Sequence, residues 1–171
     1  DDDDDAETWA RQEETVRRLF TAARRNRLEF LLEVIPSKAG PVDAETTGRV
    51  IQRFYDIGVY PDWWKLEPFG TGDAWSNACA AIRQNDPYTR GIVVLGLDAP
   101  ADELHASFAV AARHDLVKGF AVGRTIFGQV ARDWLAGGID DAEAVARMAR
   151  HYADLCRVWD GARADAARDA A

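Results

Sequence analysis

The chain has 171 residues, 47% hydrophobic and 29% charged, with a formal net charge of −8. That is the balance of a soluble globular domain with a core of its own. No apolar run approaches the roughly 18 residues of a membrane span, and no basic stripe marks a nucleic-acid surface, so neither a membrane nor a nucleic acid is expected as a partner.

Asp1 to Asp5 supply five of the negative charges and read as a solvated acidic loop. Trp9, Val16, Leu19, Phe20 and Ala23 then share a helical face, which predicts an amphipathic helix over 6–27. "LEFLLEVIP" (28–36) is a short apolar strand. Asp43 caps a helix to about residue 57, with Gly58 as its stop. "VYPDWWKLEP" (59–68) follows. Its two prolines leave room for about seven residues, strand rather than helix length. Trp75, Ala78, Cys79 and Ile82 keep helical spacing, and "GIVVLGLD" (91–98) reads as a buried strand. Pro100 opens a helix with Leu104, Phe108 and Ala111, and "GFAVGRTIF" (119–127) is the last strand and its exit. Two helices close the chain, the first stopping at Gly137-Gly138 and the second carrying Val145, Met148, Tyr152, Leu155 and Trp159. Residues 160–171 read as a frayed tail.

Strict alternation predicts a single α/β domain over 1–171 with a parallel sheet. An open doubly wound sheet and a run of units from an eight-fold barrel both fit. A full barrel typically needs about 250 residues, and four strands are half of one. The chain does not begin with Met, its only methionine being Met148, as expected of a processed protein or a part of a longer one. Cys79 and Cys156 predict neither a disulfide framework nor a metal site, and a reducing cytoplasm is the expected compartment.

The chemistry concentrates on the strands. An ammonium group inside a covered strand is costly unless it is paired or sheds its proton, so Lys65 needs a reason. By parity Trp63, Lys65 and Glu67 share one face and Trp64 and Leu66 the other; Leu31, Glu33 and Ile35 likewise share a face. If both polar faces look inward, Lys65 and Glu33 meet in one cavity. They form either a structural salt bridge or an amine and a base for Schiff-base chemistry. At the last strand Gly123 lets backbone approach a ligand, and the guanidinium of Arg124 suits phosphate or an ion pair with Asp98 or Glu67. Gly96 ends the preceding strand in the same way. Asp98 fits a helix cap or a contact to a substrate hydroxyl. His105, His114 and His151 fall on helices or helix ends, away from the strand termini.

Five ordered stretches, "LLEVIP", "GVYPDWWKLEP", "DPYTRGIVVLGLDAP", "VKGFAVGRTIF" and "WLAGGIDDAEAV", resemble the aldolase-like C-terminal domain of bacterial inositol-catabolism fusion proteins. In those proteins the domain follows a 5-dehydro-2-deoxygluconokinase, and it is itself similar to the class I tagatose-1,6-bisphosphate aldolases. The resemblance runs from about Leu28 to Trp159. It implies the second half, strands five to eight, of a TIM (β/α)8 barrel of class I aldolase type. It implies Lys65 as the Schiff-base lysine, Glu33 as the proton-handling carboxylate, and Gly123 and Arg124 as phosphate binders. "LGLDAP", with Gly96 and Asp98, stands where the aldolases carry a serine-containing phosphate loop.

The reaction implied is retro-aldol cleavage of 2-deoxy-5-keto-gluconate 6-phosphate to dihydroxyacetone phosphate and malonate semialdehyde. Lys65 forms the iminium at the C5 ketone and Glu33 takes the C4 hydroxyl proton. Neither cofactor nor metal is needed, because the iminium is the electron sink. The implied partners are this phosphorylated keto-sugar acid and either the N-terminal half-barrel and kinase domain of a parent chain or a second copy. A competing expectation is a non-catalytic module attached to that kinase, with Lys65 a structural ion-pair partner.

Overall fold

The structure, a computed structural model, describes residues 2–96 and 100–170. Helices and strands alternate. They run α1 (Asp2–Arg25), β1 (Leu31–Val34), α2 (Thr46–Asp56), β2 (Trp63–Leu66), α3 (Gly72–Asn85), β3 (Gly91–Leu95), α4 (Ala101–Ala111), β4 (Val117–Ala121), α5 (Arg124–Leu135) and α6 (Asp141–Asp169), with one 3-10 turn at Pro36–Lys38. The protein is thus a mixed α/β fold whose four strands form one parallel sheet in the order β1-β2-β3-β4. The chain groups into two compact units: Asp1–Lys65 with Asp73–Gly91, and Leu66–Gly72 with Ile92–Ala171.

The first unit is organised by strand parity. Leu32, Val34 and Trp64 turn to a covered face, together with Ile51, Phe54 and Tyr55 of α2 and Trp75, Ala78 and Ile82 of α3 in the core. Trp64 is fully buried, donates from Nε1 to the Tyr55 hydroxyl at 3.1 Å, and stands edge-on to the Tyr55 ring at 5.5 Å. A buried indole with its N–H satisfied contributes its full apolar area without a polar penalty. Leu31, on the opposite face of β1, is 45% exposed. α2 ends where the sequence predicts: Ile57 closes it, and Gly58 takes φ +81°, a left-handed conformation that glycine adopts without strain. Asp43, expected as the cap, sits in the turn ahead of the helix instead. Its carboxylate accepts from the Glu45 N–H and the Thr46 hydroxyl.

In the second unit α6 packs against both α4 and α5. Phe108 of α4 stacks on Phe120 of β4 at 5.1 Å and meets Trp159 of α6 edge-on at 5.4 Å. β3 and β4 pair in parallel, Ile92 with Val117 and Val93 with Gly119, so Lys118 is the extra residue of an irregularity. Asp140 caps α6 by accepting from the Glu143 N–H at 2.8 Å.

Three boundaries differ from the expectation. β4 ends at Ala121, and within the stretch read as the strand and its exit the chain already turns helical, α5 running from Arg124 with Gly123 at its N-terminus. The backbone turns there because the Gly123 carbonyl accepts from both the Ile126 and Phe127 N–H groups. The acidic run, expected as a loop, is helical from Asp2, in keeping with the preference of acidic residues for a helix N-terminus. Residues 160–169, expected to fray, continue α6: Arg163 donates to the Ala112 carbonyl at 2.8 Å and Arg113 pairs with Asp169 at 3.1 Å. Among the described residues no helix is long and apolar enough to cross a membrane.

Candidate active site

Lys65 Nζ lies 3.0 Å from Glu33 Oε1, the two side chains projecting from β2 and β1 on the same face. Lys65 is not sealed in a covered strand: its side chain is 25% exposed, and that of Glu33 45%. The reason is that only one face of these strands is covered, the one carrying Trp64. Glu33 has no other partner among the described residues.

The register that makes the pair is set upstream, by residues the sequence reading passed over. The Phe30 carbonyl accepts from the Asp62 and Trp63 N–H groups at 2.9 and 3.2 Å, and the Phe30 N–H donates back to Asp62 Oδ2 at 2.8 Å. Arg24 then pairs with Asp62 at 3.1 Å and donates to the Tyr60 carbonyl at 2.9 Å, tying the end of α1 to the start of β2. A one-residue slip would turn Lys65 to the other face; this clamp opposes it. Trp63 is held on the polar face, its Nε1 donating to Glu29 at 3.1 Å, and Glu29 also pairs with Arg90 at 2.6 Å.

Glu33 also lines a cavity of about 830 Å³ between α1, β1 and the 3-10 turn. Trp9, Val16, Leu32 and Phe54 form apolar parts of its wall; Arg11, Gln12, Thr15 and Lys38 supply polar ones. α1 is held over it by Arg53 of α2, which pairs with Glu13 and lies 5.0 Å from the Trp9 ring centre. Trp9 and Val16 stood out in the sequence only as an apolar helical face, and the polar members of the wall did not stand out. The signal was the polar stripe Arg11-Gln12-Thr15 beside Trp9 and Val16, which also reads as the solvated face of an amphipathic helix.

The residues expected at the phosphate belong to the second unit. Gly123 and Arg124 are exposed at the first turn of α5, and a side chain added at Gly123 would come within 3.0 Å of the Phe127 ring. Gly96 is buried, and its missing side chain is the space that Val122 fills: a Cβ there would sit 2.9 Å from Val122 Cγ1. Gly96 therefore has a packing reason to be glycine. Asp98 lies outside the described residues. Glu67 is buried just past β2, in the second unit. His151 bonds the Ile126 carbonyl at 2.8 Å, an interhelical contact of α6 with α5.

No curated protein matches the chain. Residues 1–163 match the family described as "uncharacterized protein conserved in bacteria", DUF2090. That match spans nearly the whole sequence, and the chain belongs to this family.

Proposed function

We propose that the chain carries the Schiff-base machinery of a class I aldolase that cleaves 2-deoxy-5-keto-gluconate 6-phosphate. The observation that carries this reading is the contact of Lys65 with Glu33 on a face open to ligand and beside a cavity. An amine and a carboxylate within hydrogen-bond reach are what imine formation and proton transfer require.

The Lys65 amine adds to the C5 carbonyl carbon, and loss of water leaves an iminium. Glu33 then takes the proton of a hydroxyl. That proton comes from the C3 hydroxyl rather than the C4 hydroxyl expected above, because the carbon that becomes the aldehyde must lose its hydroxyl proton. As C3–O becomes C=O, the C3–C4 bond breaks and its electron pair forms the C4=C5 enamine, quenching the iminium charge. Malonate semialdehyde leaves. Protonation at C4 and hydrolysis of the imine then release dihydroxyacetone phosphate and regenerate the amine. A phosphate-binding role for Gly123 and Arg124, which belong to the second unit, is supported by the resemblance alone. Gly96 contributes shape rather than a contact.

The sequential strand order supports a barrel repeat over the doubly wound alternative, in which the order reverses at a switch point. We infer that these units are half of a (β/α)8 barrel and that its open face and strand edge are covered by the complementary half or by a second copy. Sedimentation of the 171-residue chain tests this: association supports it, and a compact, cooperatively melting monomer argues against it.

The same 3.0 Å contact also favours a second reading, a structural ion pair in a non-catalytic module attached to a carbohydrate kinase. Borohydride reduction with dihydroxyacetone phosphate separates the two. The aldolase reading expects a covalent adduct on the peptide holding Lys65; an unmodified Lys65 would leave the structural pair.

A further inference from the structure

β2 carries two adjacent tryptophans, and they are held in different ways. Trp64 is fully buried and its ring meets other rings, Tyr55 at 5.5 Å and Phe54 at 6.3 Å. Trp63 is only partly covered. It lies on the strand face of Lys65, about 7 Å before it along the strand. Among the described residues no ring packs on it. Its indole is tied at Nε1, which donates to Glu29 at 3.1 Å, and Glu29 is in turn paired with Arg90 at 2.6 Å. Glu29 and Arg90 are each about half exposed, and ion pairs between exposed groups add little stability. What the pair does is aim a ring. A tryptophan side chain has several staggered rotamers, and a carboxylate at its Nε1, itself held by a guanidinium, selects one. The outcome is an oriented indole with no ring stacked on it, beside an amine and a carboxylate. Leu31, on the Glu33 face of β1 and 45% exposed, extends the apolar surface.

We infer that Trp63 is the binding platform for the carbon chain of a phosphorylated keto-sugar at Lys65, and that Glu29 and Arg90 are positioning residues that act through it. The inference rests on the aldolase reading for the ligand it names. The C–H groups of a sugar chain are its apolar surface, and an indole offers a large, rigid apolar face to them. Held there, the chain keeps its hydroxyl beside Glu33 while the imine forms at Lys65, and loses fewer of its own rotations in the reacting step. A ligand with no C–H surface, such as inorganic phosphate, gains nothing from the indole.

Tryptophan fluorescence of the chain, titrated with dihydroxyacetone phosphate, reads the platform directly. Quenching should saturate in the wild type and be lost in Trp63→Phe. Trp134→Phe should keep it; Trp134 is a tryptophan of α5 whose Nε1 is likewise bonded to a carboxylate, that of Asp141, at 2.7 Å. Inorganic phosphate should leave the signal unchanged. In borohydride trapping, the dihydroxyacetone phosphate concentration giving the half-maximal rate of adduct formation should rise about tenfold in Trp63→Ala while the limiting rate holds. It should rise less in Trp63→Phe, which keeps a ring. Glu29→Ala should raise it too, and Glu29→Gln, which keeps an acceptor for Nε1, should restore most of the loss. In a Trp63→Phe background Glu29→Ala should add nothing, the sign of a residue that acts through the indole. Circular dichroism establishes that each variant is folded. Quenching that survives Trp63→Phe, or a half-maximal concentration indifferent to Trp63→Ala, overturns the platform. So does a Trp63→Ala variant changed only in its melting temperature, as expected of an indole that merely fills a core. The two readings fail separately. Trp63-dependent quenching without an adduct on Lys65 keeps the platform and removes the aldolase. An adduct indifferent to Trp63 does the reverse, and the absence of both removes both.

Discussion

Asp43 and Glu33, both in the first unit, each face a cation, and their surroundings are opposite. Asp43, in the turn before α2, accepts from the Thr46 hydroxyl at 2.7 Å, from the Glu45 N–H at 2.9 Å and from Arg49 at 3.0 and 3.1 Å. The Thr46 hydrogen bond, followed by Arg49, pulls its carboxyl down to about 2. Glu33, on β1, has Lys65 and no other partner among the described residues. The first is a polar turn in which both carboxylate oxygens accept hydrogen bonds from neighbouring groups. The second is a two-member pair that a ligand can enter by replacing either partner. Proximity of opposite charges is common to both; what separates a structural pair from a candidate reactive one is how many further contacts hold it.

The largest test of that contrast is Lys65. Lys65→Ala should abolish both the borohydride adduct and any aldol cleavage, and Lys65→Arg should not restore them, because a guanidinium keeps the charge but forms no iminium at accessible pH. Equal activity in Lys65→Arg and the wild type would show that only the charge matters there.

Next is the carboxylate. Glu33→Gln keeps the shape and removes the base, so cleavage should slow by about 10²- to 10⁴-fold while the adduct with dihydroxyacetone phosphate still forms. Asp43→Asn should leave the cleavage rate unchanged and lower thermal stability. Loss of rate in Asp43→Asn comparable with that in Glu33→Gln would erase the distinction.

Asp62 tests whether register makes the pair. Asp62→Ala removes the acceptor for the Phe30 N–H and for Arg24, and should destabilise the chain by about 1–3 kcal/mol in denaturant unfolding. Asp62→Asn, which keeps an acceptor for the Phe30 N–H, should lose less. Equal losses would mean that the Arg24 charge contact, rather than the backbone clamp, dominates.

The smallest effect is the titration of Asp43. Its pKa is below the unfolded value, so its stabilising contribution is present above about 3.8 and is lost as pH falls through about 2. Thr46→Val should move the carboxyl resonance midpoint, followed by NMR, upward from about 2 toward 3.8. An unmoved midpoint would assign the depression to Arg49.

Strand parity was legible because it is a property of neighbours. That Trp64 and Lys65 point to opposite faces follows from the two-residue period. The degree of cover on Lys65 was not legible, since "WWKLE" reads as a strand covered on both sides while the structure leaves one face of β1 and β2 open. Gly123-Arg124 were placed at a strand exit and in fact open α5. A short apolar stretch carries no local mark of where extension gives way to helix; the Gly123 carbonyl, accepting from Ile126 and Phe127, decides it.

By itself the sequence determined the alternation of helices and strands, the helix stop at Gly58, and the sharing of one strand face by Lys65 and Trp63. Each depends on periodicity or on the conformational range of a single residue. Only the tertiary structure decided that Glu33 stands opposite Lys65, because register depends on hydrogen bonds between Phe30 and Asp62, 32 residues apart. It alone also placed Arg11 and Lys38 around one cavity, because that cavity exists only once α1 has docked over β1 through Arg24 and Arg53. Contacts between distant segments follow from packing and charge pairing in three dimensions, and no period in the chain encodes them.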